Sequence, residues 1–101
     1  MIGKKGNYKA SAIYETGNVY SQPGSIISLS FAEHIRGGRK ALSYRNNPQY
    51  VDQNGKVLKE CEFSSASTAA QFVTGRSTNG LERWYVEPKV NLKKWIEMQT
   101  K

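Results

Sequence analysis

The chain has few of the residues on which metal sites and most enzyme active sites depend. Its 101 residues include a single cysteine, Cys61, and a single histidine, His34. One cysteine excludes an intrachain disulfide, and these two residues are too few ligands for a Cys/His metal site. The acidic residues are scattered, and no Gly-x-Ser-x-Gly, Walker-type or His-x-x-x-His motif occurs. We therefore expect a protein that is not an enzyme and that uses neither a metal nor a cofactor.

Long hydrophobic runs are also missing. No apolar stretch approaches the ~20 residues that a membrane-spanning helix needs. Residues 1–6 contain two lysines with no apolar segment after them, which is unlike a signal peptide. Together with the single cysteine, these absences predict a cytoplasmic protein that has no membrane partner.

Negative charge is scarce as well. There are 8 Asp and Glu residues against 15 Lys and Arg, which gives a formal net charge of +7. On a chain long enough for one modest core, such a surplus creates a field that attracts phosphate groups or acidic proteins. The expected partner is therefore DNA or RNA, with an acidic protein as an alternative. The simplest alternative is that the surplus charge only keeps the protein soluble.

The patterns that are present are typical of an antiparallel sheet. Residues 8–14 alternate loosely between apolar and polar side chains, and turn residues followed by a return strand predict a hairpin. Asn54-Gly55 predicts a type I′ turn between strands at 50–52 and 56–63. The segment between these hairpins is harder to assign, and we expect residues 32–50 to form a long loop that includes at most a short element.

Two helices are predicted in the second half of the chain. Alanines and valine recur at helical spacing over residues 65–74, with Ser64 or Ser65 as the N-cap and Gly75 as the stop. After a turn, residues 81–86 read as a strand that buries Trp84. A C-terminal helix follows, and its Trp95 could pack in the core or mediate a homodimer. The predicted fold class is α+β, a small antiparallel sheet with one helix packed on it and a C-terminal helix.

The segment from Phe63 to Trp84 also resembles DUF4357, a small bacterial domain family of unknown function. The shared positions are a phenylalanine, two serines, an alanine-rich helix, Gly-Arg-Ser, Asn-Gly and a tryptophan: Phe63, Ser64, Ser65, Ala69, Ala70, Gly75, Arg76, Ser77, Asn79, Gly80 and Trp84. A hairpin leading to Gly24-Ser25 resembles the N-terminal half of the family's domain. The pattern differs at Ala66, where a proline is common, and at Leu81, where an aromatic residue is frequent.

This resemblance implies a domain at residues 8–88, with a basic N-terminal arm at 1–7 and the C-terminal helix at 89–101. Family members are often attached to nucleases, helicases or restriction-type proteins. The family is also similar to a domain associated with adenine methylases that is thought to read modified DNA. The implied function is a non-catalytic nucleic-acid accessory module, and an isolated module would suit a phage or mobile-element protein.

Two basic segments are the candidates for contacting nucleic acid. Arginine is well suited to this role because its planar guanidinium group matches phosphate oxygens and guanine edges. The first segment is a glycine-spaced cluster beside His34, with Tyr44 and Tyr50 as stacking faces. The second is the Gly-Arg-Ser-Thr-Asn-Gly loop and the strand after it. The candidate nucleic-acid-binding residues are Arg36, Arg39, Lys40, Arg45, Arg76, Asn79 and Arg83.

Other interpretations remain open at this point. The cluster could be a solvated loop, and the second segment could be purely structural, because its glycines and Asn79 explain a helix stop and a turn. A protein–protein inhibitor or adaptor acting on a host nucleic-acid or defence system is a second class of function. A small nucleotide-binding protein is a third, and it requires a closed pocket.

Overall fold

The fold consists of one antiparallel sheet and four helices in the part of the chain that the computed structural model describes, residues 1–31, 39–76 and 78–99. The strands lie in the order β4-β3-β2-β1-β5-β6. This confirms the predicted α+β class. The elements are β1 (Ile2–Lys5), β2 (Tyr8–Glu15), β3 (Asn18–Ser21), α1 (Arg39–Arg45), β4 (Cys61–Phe63), α2 (Ala66–Thr74), α3 (Gly80–Arg83), β5 (Tyr85–Glu87), β6 (Val90–Asn91) and α4 (Leu92–Gln99).

The two faces of the sheet differ in burial. The inner face carries buried side chains, which include Ala10, Ala12, Val19 and Phe63. Helix α2 packs against strands β2, β3 and β4 on this face and buries Ala69, Ala70 and Phe72 among other residues. The outer face carries the alternate residues of the same strands, among them Lys9, Ser11 and Ile13, and these are exposed.

The caps of α2 are as predicted. Ser65 is extended, and its hydroxyl accepts a hydrogen bond from the N–H of Thr68 at 3.1 Å. Gly75 ends the helix in the left-handed conformation with φ 72°, and its N–H donates to the carbonyl of Gln71 at 2.9 Å. A side chain at Gly75 would also collide with the backbone of Ser30. These short-range signals fix both ends of the helix.

The N-terminal residues belong to the sheet. Residues 2–5, which the sequence analysis placed in a basic arm, form β1 between β2 and β5. Gly3 faces inward, where a Cβ would lie 3.2 Å from the ring of Trp84. The strand was missed because its inward position is a glycine, so the sequence shows no alternation of apolar side chains.

Residues 81–86 were predicted to form a strand, and most of this prediction is wrong. The side chain of Asn79 accepts a hydrogen bond from the N–H of Leu81 at 3.0 Å and so begins the short helix α3. Strand β5 starts only at Tyr85. Trp84 is 1% exposed, as predicted for a core residue, and its indole N–H donates to the carbonyl of Ala66 at 3.2 Å. This long-range contact with α2 favours the helical turn over a strand.

The predicted second hairpin is also reduced. Val51 and Val57 form an isolated bridge, and the strand at 56–63 is confined to Cys61–Phe63. Gly55 has a positive φ of 83°, but Asn54 does not, so the turn is not type I′. The carboxylate of Asp52 instead accepts the N–H groups of Asn54 and Lys56, each at 2.9 Å, and organises the loop.

Helix α1 lies within the segment that was predicted to be a long loop, and residues 32–38 lie outside the described residues. Helix α4 begins after Asn91, whose side chain accepts from the N–H of Lys94 at 2.9 Å. The ring of Trp95 packs edge-on against Tyr14, with 6.1 Å between ring centroids. The Trp95 side chain therefore packs against the rest of the fold. In the described part of the chain, no helix has the length and apolarity to span a membrane.

Candidate nucleic-acid interface

The structure places five of the predicted cationic residues in two groups. Arg39, Lys40 and Arg45 belong to α1, whereas Arg76 and Arg83 line one cleft near the end of the sheet. Asn79 is the exposed cap of α3, between the two cleft arginines in sequence. Arg36 and its neighbour His34 lie outside the described residues.

Arg45 is engaged inside the fold. Its Nε donates to the carbonyl of Phe72 at 2.9 Å, and its Nη1 donates to the carbonyl of Ser30 at 3.4 Å. Phe72 lies in the last turn of α2, where carbonyl groups have no partner within the helix. The guanidinium group also lies 4.8 Å from the ring centroid of Phe31. Burial lowers the pKa of Arg45 to about 10, so it stays cationic at neutral pH. These contacts give Arg45 a structural role.

The two tyrosines that were predicted as stacking faces lie in an aromatic cluster. The ring of Tyr44 lies 4.9 Å from that of Tyr50 and 5.3 Å from that of Phe63. The Tyr44 hydroxyl accepts from the N–H of Glu62 at 3.2 Å, which satisfies part of the free edge of β4. The Lys40 ammonium group lies 5.1 Å from the Tyr44 ring centroid. Both rings therefore pack at the sheet edge, and Lys40 lies against one of them.

The second group of cations lies around the turn between β1 and β2. We call this site the basic cleft, and its volume is about 730 Å³. One wall is the turn, and the other is formed by the end of α2, by residues 76 and 78, and by α3. The described lining residues are Gly6, Asn7, Tyr8, Thr74, Arg76, Thr78 and Arg83.

Short contacts hold both arginines of the basic cleft. The Nε of Arg83 donates to the Thr78 hydroxyl at 3.0 Å, which uses one of the three guanidinium nitrogens. The backbone N–H of Arg76 donates to the Thr74 hydroxyl at 3.2 Å, so the start of the loop is tied to the end of α2. Both arginine side chains remain exposed. The geometry leaves them able to bind an anion.

Two lysines extend the positive charge around the other side of the same turn. Lys4, Lys9 and Ile26 line a second depression, which shares Gly6, Asn7 and Tyr8 with the basic cleft. Lys4 and Lys9 were not among the predicted binding residues. The signal was present, because Lys4 and Lys9 flank a Gly-Asn turn and must therefore lie together if that turn closes a hairpin.

The Cys61 thiol is fully buried in the fold. Burial is the main cause that raises the pKa of Cys61 to about 12, and the Glu60 carboxylate adds to it, so the thiol is protonated at neutral pH. A protonated thiol is a poor nucleophile. Within residues 1–31, 39–76 and 78–99, no group of three His, Cys, Asp or Glu side chains could hold a metal ion.

Comparison with known proteins gives a family but no individual relative. Neither the curated proteins nor the solved structures provide a match. The family model described as "Domain of unknown function (DUF4357)" matches residues 2–96. This range includes β1 and reaches into α4, so it extends beyond the domain at residues 8–88 that the resemblance implied. The chain therefore belongs to the DUF4357 family.

Proposed function

We propose that this domain is a non-catalytic accessory module that binds nucleic acid, and that the basic cleft contacts the phosphate backbone. The observation that carries the proposal is the placement of Arg76 and Arg83 in one cleft, with Lys4 and Lys9 on the other side of the shared turn. Exposed cations that converge on one place bind a polyanion by displacing its counterions. The net charge of +7 adds long-range attraction.

The proposal departs from the sequence analysis in where it places the contact. Arg45 is held by backbone carbonyls and an aromatic ring, so it has little freedom to meet a phosphate. Arg76 and Arg83 have exposed side chains. The family resemblance adds the expectation that such a module serves a nuclease or a restriction-type protein.

A titration that follows fluorescence anisotropy tests this proposal. Labelled DNA and RNA oligonucleotides, single- and double-stranded, are titrated with the protein at several salt concentrations. The double variant Arg76→Gln/Arg83→Gln should weaken binding and reduce the slope of log K against log salt by about two. The matched control is Arg39→Gln/Lys40→Gln, which removes the same charge from α1.

The outcomes are distinct. A smaller effect of the control on both affinity and slope supports the basic cleft. Equal losses in the two double variants would mean that only net charge matters, and the cleft assignment would be wrong. Absence of binding to every oligonucleotide at low salt would end the proposal.

A small phosphorylated nucleotide is the second candidate, because the cleft volume falls within the range of about 300–1,000 Å³ that is usual for small-ligand pockets. The cleft is open, however, and not the closed pocket that this function was expected to require. This function predicts a thermal shift with mononucleotides that the Arg76→Gln/Arg83→Gln variant lacks. It also predicts that mononucleotides compete with oligonucleotides for the cleft. If mononucleotides neither shift the melting temperature nor compete, the nucleotide-binding alternative is excluded.

A further inference from the structure

The outer face of the sheet carries exposed side chains whose chemistry the fold does not explain. Ile2 is 53% exposed, Ile13 is 50% exposed and Tyr85 is 44% exposed. The backbone register places Ile2 directly opposite both Ser11 and Tyr85, and it places Ile13 opposite Tyr20. These side chains form two neighbouring rows across the sheet, one through Ile2 and one through Ile13.

A row that contains three lysines lies next to the row through Ile2, whereas the row through Ile13 and Tyr20 ends at Glu62. Lys4 is directly opposite Lys9, Lys9 is opposite Ile26, and Ile26 is opposite Lys56. All four side chains are exposed. Three strand spacings separate Lys4 from Lys56, which is about 14 Å. Like charges directly opposite each other destabilise a sheet, so folding gives no reason for the Lys4–Lys9 pair. A polyanion lying along the row would offset this repulsion.

The lysine row is continuous with the basic cleft. Lys4 and Lys9 line the depression that shares the β1–β2 turn with Arg76 and Arg83. Tyr85 is opposite Ile2, two residues from Lys4 along the strand, so its row lies about 7 Å from the lysines. A path of positive charge thus runs from the cleft on to the sheet and alongside an exposed aromatic ring.

We infer that the outer face binds a single strand of nucleic acid, with phosphates on the lysine row and unpaired bases over Ile2, Ile13 and Tyr85. This inference rests on the proposed function and adds to it the class of nucleic acid. Aromatic side chains on an open sheet are a general device for stacking unpaired bases. A duplex keeps its bases stacked inside and offers the face only its backbone. A second copy of this chain is a poorer occupant, because its own lysine row adds like charge.

The test measures anisotropy with labelled oligothymidylate, oligouridylate and a DNA duplex. Tyr85→Leu keeps apolar area but removes the ring, and Tyr85→Phe keeps the ring. Since stacking on an aromatic ring stabilises an unpaired base, Tyr85→Leu should weaken single-strand binding about tenfold, and Tyr85→Phe should bind like the wild type. Duplex binding should change little in either variant.

Comparing the Tyr85 variants with the cleft double variant separates this inference from the proposed function. If Arg76→Gln/Arg83→Gln weakens binding but Tyr85→Leu and Tyr85→Phe bind equally well, the cleft stands and the stacking face is wrong. If no strand of any kind binds, both are wrong. Sedimentation gives a further check, because a wild-type dimer that Tyr85→Leu dissociates would identify the face as a self-association surface and overturn the inference.

Discussion

The cations of α1 and those of the basic cleft differ in what surrounds them. On α1, Arg45 donates to two carbonyl groups and Lys40 lies against the Tyr44 ring. In the cleft, Arg83 makes one contact through Nε, and Arg76 is anchored by its backbone. The first group is the denser one in the sequence. Charge density alone therefore does not locate a binding site, because an arginine can be used to complete the end of a helix.

The backbone near the cleft arginines is tightly packed, although the arginine side chains are exposed. Gly80, at the start of α3, donates its N–H to the Ser67 hydroxyl at 3.1 Å. A Cβ there would lie 2.1 Å from the carbonyl carbon and oxygen of Ala66. The exposed arginine side chains are therefore attached to a rigid backbone. Less backbone entropy is lost when they bind a ligand.

The largest effect is expected from Gly80→Ala. Alanine gains about 1 kcal/mol of helix propensity, but the collision is with backbone atoms that cannot rotate away. We expect a net loss of at least about 2 kcal/mol in the free energy of unfolding, measured by urea denaturation. Gly6→Ala in the β1–β2 turn is the control, because a Cβ there meets nothing within 4 Å. Equal stability of the two variants would show that the support of the cleft is loose.

The second prediction tests the contrast between the two arginine environments. Arg45→Met keeps an unbranched side chain but removes the guanidinium group, so the Phe31 ring loses its cation and the Phe72 carbonyl loses its donor. An unsatisfied buried polar group costs about 1–3 kcal/mol, so we expect a loss of about 2 kcal/mol. Arg76→Met should change stability by less than about 0.5 kcal/mol. Urea denaturation of both variants measures the difference, and similar losses would remove the distinction on which the site assignment depends.

The parts of this fold that the sequence predicts are those decided by near neighbours. Ser65 and Gly75 mark the ends of α2 because each acts on groups within one helical turn. Asn79 could begin either a turn or a helix, and the choice depends on Trp84 reaching Ala66, 18 residues away. Strand β1 depends on its neighbours in the same way, because its inward glycine carries no apolar signal.

The residues of the candidate site show the same distinction between local and long-range signals. Arg76 and Arg83 could be selected because their segment matches a family pattern, and Lys4 and Lys9 could have been selected from the turn between them. The role of Arg45 could not be predicted, since its main partner, the Phe72 carbonyl, is 27 residues away. The β1–β2 turn meets the end of α2 and α3 only through the packing of distant segments, which no local motif shows.

The smallest effect is expected from the titration of Cys61, which is fully buried and lies close enough to Lys40 of α1 to feel its charge. Burial raises the pKa of its thiol from 9.0 to about 12, and the Lys40 cation lowers it only in part. Below pH 9 the thiol is protonated in both the folded and the unfolded state, so stability does not depend on it. Between pH 9 and 12 the unfolded chain releases the proton and the folded chain retains it, so stability falls as pH rises.

Comparison with Cys61→Ala isolates the contribution of this thiol. The stability advantage of the wild type over Cys61→Ala at pH 7 should shrink by about 1 kcal/mol at pH 10, measured by urea denaturation at both values. An advantage that stays constant would place the thiol pKa at its ordinary value in the folded state. The Lys40 charge would then stabilise the thiolate enough to offset its burial. The cations of α1 would in that case interact with the interior of the fold more strongly than the contrast with the cleft implies.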